Sequence, residues 1–302
     1  MAYAVAARGS RLSVAQARLA MNMLKDAAPG VSFHIVTVTT RGDTDSRPMF
    51  AMDRRGIFER EVNQAVADGR ADFAVHSMKD VPNEMAPGLV LACVPERADP
   101  YDTMVCRPNL DTGGRFVVGT SSLRRAAQAR LAFPECEVRP IRGNVDTRVS
   151  KVGDTFDAVI LARAGLGRLD LNVRTMDLPR DTFIPSPGQG ALALVCRNDD
   201  QNMVSLLQTI QDGHARAEAE AERALSRVLE SGCRFPVAAC ARHDGHMVRM
   251  RAAAYMTGGG AVHAECSGTD PVSVGEEAGR ILLESGAASF ALKWRQDVEG
   301  WR

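Results

Sequence analysis

The pattern that most restricts this chain is an alternation of short apolar runs with amphipathic stretches, played twice. In the first hundred residues Tyr3 to Ala7, Val31 to Thr39, Phe73 to Val75 and Leu89 to Val94 read as strands. Between them, a stretch capped by Ser10 or Ser13 and running to about Ala27, and another from Gly56 to Ala67, carry apolar residues at helical spacing. The pattern restarts after Arg97-Ala98-Asp99-Pro100. Strands follow at Phe116 to Gly119, Val138 to Ile141 and Ala158 to Ala162, with helices opening at Ser121 or Ser122 and near Val145 to Val152. Parallel strands need long crossovers, and helices supply them, so each half predicts a mainly parallel sheet covered on both faces.

The segment Pro185-Ser186-Pro187-Gly188 interrupts the second half, and Ala191 to Val195 reads as a strand that rejoins the first. A charged helix from about Ala215 to Glu230 ends at Gly232, a C-cap residue type. Hairpin segments begin at Val237, with turns at Asp244-Gly245 and Gly258-Gly259-Gly260, and a last helix runs from Val274 to Ser285. The expected fold class is α/β: two similar α/β domains with a smaller α+β C-terminal domain. The expected bounds are 1–97 plus 189–212 for the first, 98–188 for the second and 213–302 for the third.

Open α/β sheets bind ligands beyond the carboxyl ends of their strands. The polar clusters fall there. Arg8-Gly9-Ser10-Arg11 follows the first strand and Ser77-Met78-Lys79-Asp80 the third; Thr120-Ser121-Ser122-Leu123-Arg124-Arg125 and Arg142-Gly143-Asn144-Val145-Asp146-Thr147-Arg148 follow strands of the second half. Helix starts attract anions, and arginine forks add charge and bidentate geometry, so the cleft is suited to a ligand with many carboxylates or phosphates. Of 37 basic residues only Lys25, Lys79, Lys151 and Lys293 are lysines, which singles out Lys79 beside Asp80. Lys79 would meet a substrate anion, and Asp80, expected as the lone acid within the cleft's field of cations, a developing cation.

Simpler readings stand beside these. An arginine-rich loop alone is usually solvated surface, and His76 reads as a packed strand-end residue. The Ser121-Ser122 pair reads as a helix cap. Seven cysteines without CxxC spacing argue against disulfides or zinc; Cys93, Cys106, Cys196, Cys240 and Cys266 sit in or beside apolar runs. Glu135 and Glu137 should raise the pKa of Cys136. Cys233, beside Arg234, is eligible as a nucleophile and no more. No GxGxxG, Walker A or HExxH pattern occurs, so neither nucleotide cofactor nor metal is expected. Formal net charge is zero, which gives no call for nucleic acid. No apolar run approaches the roughly 20 residues of a membrane span, and a cytoplasmic location is expected.

Together these segments resemble the porphobilinogen deaminase (hydroxymethylbilane synthase) family. The resemblance is carried by Ala7-Arg8-Gly9-Ser10, Gly56-Ile57-Phe58, Ala74-Val75-His76-Ser77-Met78-Lys79-Asp80-Val81-Pro82 and Gly119-Thr120-Ser121-Ser122-Leu123-Arg124-Arg125. It continues in Ile141 to Arg148, Ala164 to Leu169, Pro187-Gly188-Gln189-Gly190-Ala191 and Glu230-Ser231-Gly232-Cys233. It implies an enzyme that joins four porphobilinogen molecules head to tail into hydroxymethylbilane, releasing ammonia at each step. It implies two periplasmic-binding-protein-like domains and a third that carries a dipyrromethane primer, attached by a thioether to Cys233.

By the same resemblance Asp80 is catalytic, hydrogen-bonding pyrrole N–H groups and stabilising the cation left when ammonia departs. Ser77, Lys79, Thr120, Ser122, Arg124, Arg125, Arg142 and Gly143 would hold the cofactor. Arg8, Ser10, Arg55, Phe58, Arg148, Arg168 and Gln189 would hold substrate. A monomer is expected. The segment Ala51-Met52-Asp53-Arg54-Arg55 departs from the family's glycine- and lysine-rich loop, with Arg55 supplying charge without a lysine's compact shape. From the residues alone, a non-catalytic two-lobed polyanion-binding protein and a transferase using Cys233 on a diffusing acyl substrate remain alternatives.

Overall fold

The computed structural model describes residues 2–40, 59–230, 236–256 and 259–290. Its first part runs β1 (Ala2–Arg8), α1 (Arg11–Ala27), β2 (Ser32–Val38), α2 (Arg60–Ala67), β3 (Phe73–Ser77) and β4 (Leu89–Cys93). The chain then crosses into β5 (Asp102–Cys106), β6 (Phe116–Gly119), α3 (Leu123–Ala132), β7 (Cys136–Arg139), α4 (Val145–Val149), β8 (Ala158–Ala162), α5 (Arg163–Arg168) and β9 (Thr175–Asp177). It crosses back through β10 (Leu192–Arg197), α6 (Gln201–Gln208) and α7 (Gly213–Glu230). It closes with β11 (Val237–His243), β12 (Val248–Tyr255), β13 (Ala261–Gly268) and α8 (Pro271–Glu284).

The two five-stranded sheets share one strand order. The first is β2-β1-β3-β10-β4 and the second β7-β6-β8-β5-β9. In the first, β10 runs antiparallel to β3 and β4; in the second, β5 runs antiparallel to β8 and β9. Each sheet therefore takes its one reversed strand from the segment that has just crossed between them. The crossing strands are part of both cores and not loose linkers.

Alternation along the strands explains why both faces are covered. Val5, Ala7, Phe73, Val75, Leu192 and Leu194 face one core with α1, whereas Ala6, Ala74, Ala193 and Val195 face another with Val62 and Val66 of α2. The second sheet divides likewise, Phe116, Val118, Ala158 and Ile160 on one side and Val105, Val159 and Leu161 on the other. The three-stranded sheet β11-β12-β13 packs against α7 and α8 through Leu225, Leu229, Met250, Tyr255, Ala278 and Leu282.

Four elements were not expected from sequence. β5 opens on a charged residue, Asp102, between Pro100 and Pro108, and reads as loop until its buried arginine partners are seen. β9 is three residues long, and α5 and α6 span six and eight. β7 begins at Cys136, two residues before the expected start at Val138. The Gly56–Phe58 start expected for α2 and the Gly232 cap expected for α7 lie outside the described residues.

Candidate active site in the cleft between the sheets

The carboxyl ends of β1, β2, β3, β7 and β8, with Arg125 of α3 and the Gln189-Gly190 segment, meet at a cavity of about 810 Å³. Local chemistry builds each loop. Ser10 caps α1 by accepting from the Ser13 amide at 3.2 Å, and the Arg8 amide donates to Ser13 Oγ at 3.0 Å, which turns the chain sharply after β1. After β3 a single 3₁₀ turn, Met78–Asp80, buries Met78 and sends Lys79 and Asp80 to the cavity. Gln16 of α1 donates to Ser77 Oγ at 2.8 Å and ties that turn to the first helix. In the second half, Arg148 Nε donates to the Gly143 carbonyl at 2.8 Å, folding the Arg142-to-Arg148 loop on itself.

Six cations line the cavity: Arg8, Lys79, Arg125, Arg142, Arg148 and Arg168. Asp80 is the sole carboxylate among the described lining residues. Crowding of like charges shows in their titration. Lys79 is open to the cavity yet ringed by protein; its pKa falls to about 8, first through burial and then through Arg125, against the pull of Asp80 and Asp102. Burial, then Arg125 and Arg142, lowers Arg148 to about 10, and burial lowers Arg168 to about 10. Both remain cationic at neutral pH. Arg168 donates through Nη2 to the Gly190 carbonyl at 2.6 Å, while its Nε is buried without a hydrogen-bond partner.

Of the residues singled out from sequence, Arg8, Ser10, Ser77, Lys79, Asp80, Arg125, Arg142, Gly143, Arg148, Arg168 and Gln189 all border this cavity. Three others do not. Ser122 caps α3, accepting from the Arg125 amide at 3.4 Å, and Thr120 is buried and accepts from the Ser122 amide at 3.2 Å. Arg124 points inward: its Nη1 donates to Asp102, Gln128 and the Ile184 carbonyl, each at 2.8 Å. Its charge is committed to Asp102 and away from the cavity. Arg55, Phe58 and Cys233, and the Ala51-to-Arg55 loop, lie outside the described residues.

Sequence reasoning missed Gln16 and Thr39, which line the cavity, and Asp102, which lies behind it. A glutamine inside an amphipathic helix carries no signal of its own. His76 is the packed strand residue expected: it is buried, bonded to Asn63 Oδ1 at 2.9 Å, and its pKa falls to about 4 through burial and then Arg8. Cys136 is raised, though the cause is burial and not the flanking glutamates. Among the described residues no group of three or more potential metal ligands occurs, and no helix is long and apolar enough to cross a membrane.

Residues 3–205 match the family model described as porphobilinogen deaminase, dipyrromethane cofactor binding domain, and residues 216–284 match that family's C-terminal domain. The chain belongs to the porphobilinogen deaminase family. A probable porphobilinogen deaminase of Nitrosopumilus maritimus is 47% identical across all of this chain and 99% of its own length. The porphobilinogen deaminase of Sorangium cellulosum is 45% identical over 82% of this chain and 85% of its own. Among solved structures, the BvgS VFT2 domain of Bordetella pertussis covers 75% of the chain at 16% identity, with a TM-score of 0.40, too low to bear on the fold. The chain is therefore a hydroxymethylbilane-forming transferase of tetrapyrrole biosynthesis with a dipyrromethane-binding domain. The non-catalytic receptor reading has no support beside it.

Proposed function

We propose that this cavity is where porphobilinogen units are joined, with Asp80 as the catalytic group and the surrounding cations as carboxylate holders. The observation that carries the reading is the placement of one acid, Asp80, within a ring of six cations. Porphobilinogen bears two carboxylates and one aminomethyl group. Arg8, Arg142, Arg148 and Arg168 suit the first by charged hydrogen bonds, and Arg125, with one N–H left beside its bonds to Asp102, Gln189 and the Ile160 carbonyl, adds positive charge. The loss of ammonia leaves positive charge on the pyrrole, and a fixed carboxylate beside it lowers that barrier. Asp80 also accepts from a pyrrole N–H and so orients the ring.

The residues present fit a dipyrromethane. Several carboxylates need several cations around one space, and the cavity supplies them together with a buried, unpartnered Arg168 Nε. When bound, the dipyrromethane supplies the pyrrole carbon to which the first unit is added. Lys79, Ser77, Arg125, Arg142 and Gly143 would hold it, with covalent attachment at Cys233. Arg8, Ser10, Arg148 and Arg168 would hold the incoming unit, with Arg55 and Phe58 nearby. Thr120, Ser122 and Arg124 support these contacts from behind.

Six described cysteines are unpaired, which supports a reducing, cytoplasmic setting. Five arginines and Lys79 gather around one cleft in a chain of zero formal net charge, which supports a small polyanionic substrate over nucleic acid. The test is consumption of porphobilinogen by the purified protein, together with its reaction with Ehrlich's aldehyde reagent. Turnover and a coloured adduct support the reading; a colourless protein that consumes no porphobilinogen overturns it.

A further inference from the structure

We propose that Gln189 and Asp102 are positioning residues that hold Lys79 and Arg125, cations from opposite halves of the cleft, at one spacing, and that neither touches substrate. The ligand's identity rests on the functional reading above; the geometry does not. Gln189 sits where the chain crosses back from the second sheet to the first. Its Oε1 accepts from Lys79 Nζ at 3.4 Å and from Arg125 Nη2 at 3.3 Å. Its Nε2 donates to the Pro100 carbonyl at 2.7 Å and to Asp102 Oδ1 at 2.8 Å. A side-chain amide has two N–H donors and two acceptor lone pairs, so all four places are filled. Gln189 is 1% exposed. It forms part of the cavity wall with no hydrogen-bonding capacity left for a carboxylate, which removes it from the substrate-binding set expected from sequence.

Its neighbours leave it no alternative position. Gly188 and Gly190 both have positive φ, +74° and +87°. A Cβ on Gly188 would lie 2.9 Å from the Lys79 backbone nitrogen, and one on Gly190 2.4 Å from the Ala98 carbonyl oxygen. The returning segment thus lies flat against both the Lys79 turn and the outgoing segment. Arg97 grips the Gln189 carbonyl through Nε at 3.0 Å and Nη2 at 2.9 Å.

Asp102 completes the frame from β5. Its Oδ1 accepts from Arg125 Nη2 at 2.7 Å, Arg125 Nε at 3.1 Å and Gln189, and its Oδ2 from Arg124 Nη1 at 2.8 Å. Burial alone would raise its pKa, but Arg124 and Arg125 hold it well below the usual carboxylate range. Lys79 therefore feels Asp80 on its own turn, Arg124 and Arg125 of α3 and Asp102 of β5, in a cavity also lined by Arg8, Arg142, Arg148 and Arg168. The two acids offset the arginines around the ammonium, and the Gln189 oxygen accepts one of its protons.

The holoenzyme carries four lysines, so a lysine-selective carbon-13 spectrum followed against pH isolates Lys79, assigned through Lys79→Arg. The wild-type midpoint should lie near 8. Gln189→Met removes the acceptor and should lower the midpoint, while Gln189→Glu keeps Oε1, adds charge and should raise it. Asp102→Asn should lower it by on the order of one pH unit. The alkaline limb of kcat/KM should move with the resonance. A role in packing alone would not give opposite signs for Met and Glu. An unmoved midpoint in folded Gln189 variants, or shifts of the same sign, overturns the proposal. If Asp102→Asn fails to fold, the Gln189 pair decides alone. A wild type that consumes no porphobilinogen overturns the functional reading and leaves the titration result standing.

Discussion

Arg97 and Glu222 form two parallel hydrogen bonds, Nη1 to Oε1 at 2.9 Å and Nη2 to Oε2 at 3.0 Å, with both side chains buried. The same Arg97 bonds Glu218 at 3.0 Å, and Glu222 Oε2 accepts from the Gly188 amide at 2.5 Å. One ion pair thus fastens the segment between the sheets to α7 of the third unit. Truncating one partner leaves a buried charge uncompensated, which costs about 3–5 kcal/mol. Arg97→Ala should lower the thermal midpoint sharply in calorimetry, whereas Arg249→Ala, whose partner Asp244 is on the surface, should change it little.

Asp80→Asn keeps size and removes the charge facing the nascent cation. Turnover should fall by about 100-fold or more. The melting curve and primer content should be retained, because Asp80 is exposed to the cavity and supports no core. Turnover within a few-fold of wild type would remove Asp80 from the chemistry.

Arg142→Leu or Arg148→Leu removes a charge-assisted hydrogen bond to a carboxylate, worth about 10- to 100-fold in kcat/KM or an equivalent failure of primer assembly. Arg280→Leu is the contrast. Arg280 is exposed on α8 and paired with Glu277 and Glu284 at 2.5 Å each, so its loss should leave kinetics unchanged. Steady-state assays on the three variants would show equal losses if the cleft were wrongly placed.

Lys79 loses its proton as pH rises through about 8, so its hold on a carboxylate is present below that value and lost above it. With one holder of the dipyrromethane lost, kcat/KM for porphobilinogen should fall between pH 7 and pH 9, moderated by water in the open cavity. Arg148 and Arg168, at about 10, keep their charge over this window. A Lys79→Arg enzyme should therefore lose that limb, which a pH profile of kcat/KM would show.

Intact mass of the active protein should exceed the sequence mass by one dipyrromethane, resistant to mild reducing agents because a thioether is not a disulfide. Digestion should place it on the peptide containing Gly232-Cys233-Arg234. Cys233→Ser should lack the adduct and activity, and Cys136→Ser should keep both. Burial raises the thiol pKa of Cys93, Cys196 and Cys240 to about 12, 11 and 11, and these should not be modified.

The sequence by itself determined the two α/β sheets, the return of Ala191 to Val195 to the first sheet, the family and most of the cavity wall. Those features are local: two-residue alternation, helical spacing, caps such as Ser10 and Ser122, and cationic loops that begin where strands stop. Tertiary structure decided which charged residues face the cavity and which face each other. Arg124 and Arg125 are adjacent in sequence, yet only Arg125 lines the cavity, because α3 turns Arg124 onto Asp102 and the Ile184 carbonyl. Asp102 gave no sign of its part, since an acid two residues after Pro100 reads as loop until two arginines 22 and 23 residues away are folded onto it. The saturation of Gln189 depends on Lys79, Pro100, Asp102 and Arg125 arriving from three segments. Side-chain direction and long-range pairing belong to the folded chain, because no periodicity encodes which partner a buried polar group will meet.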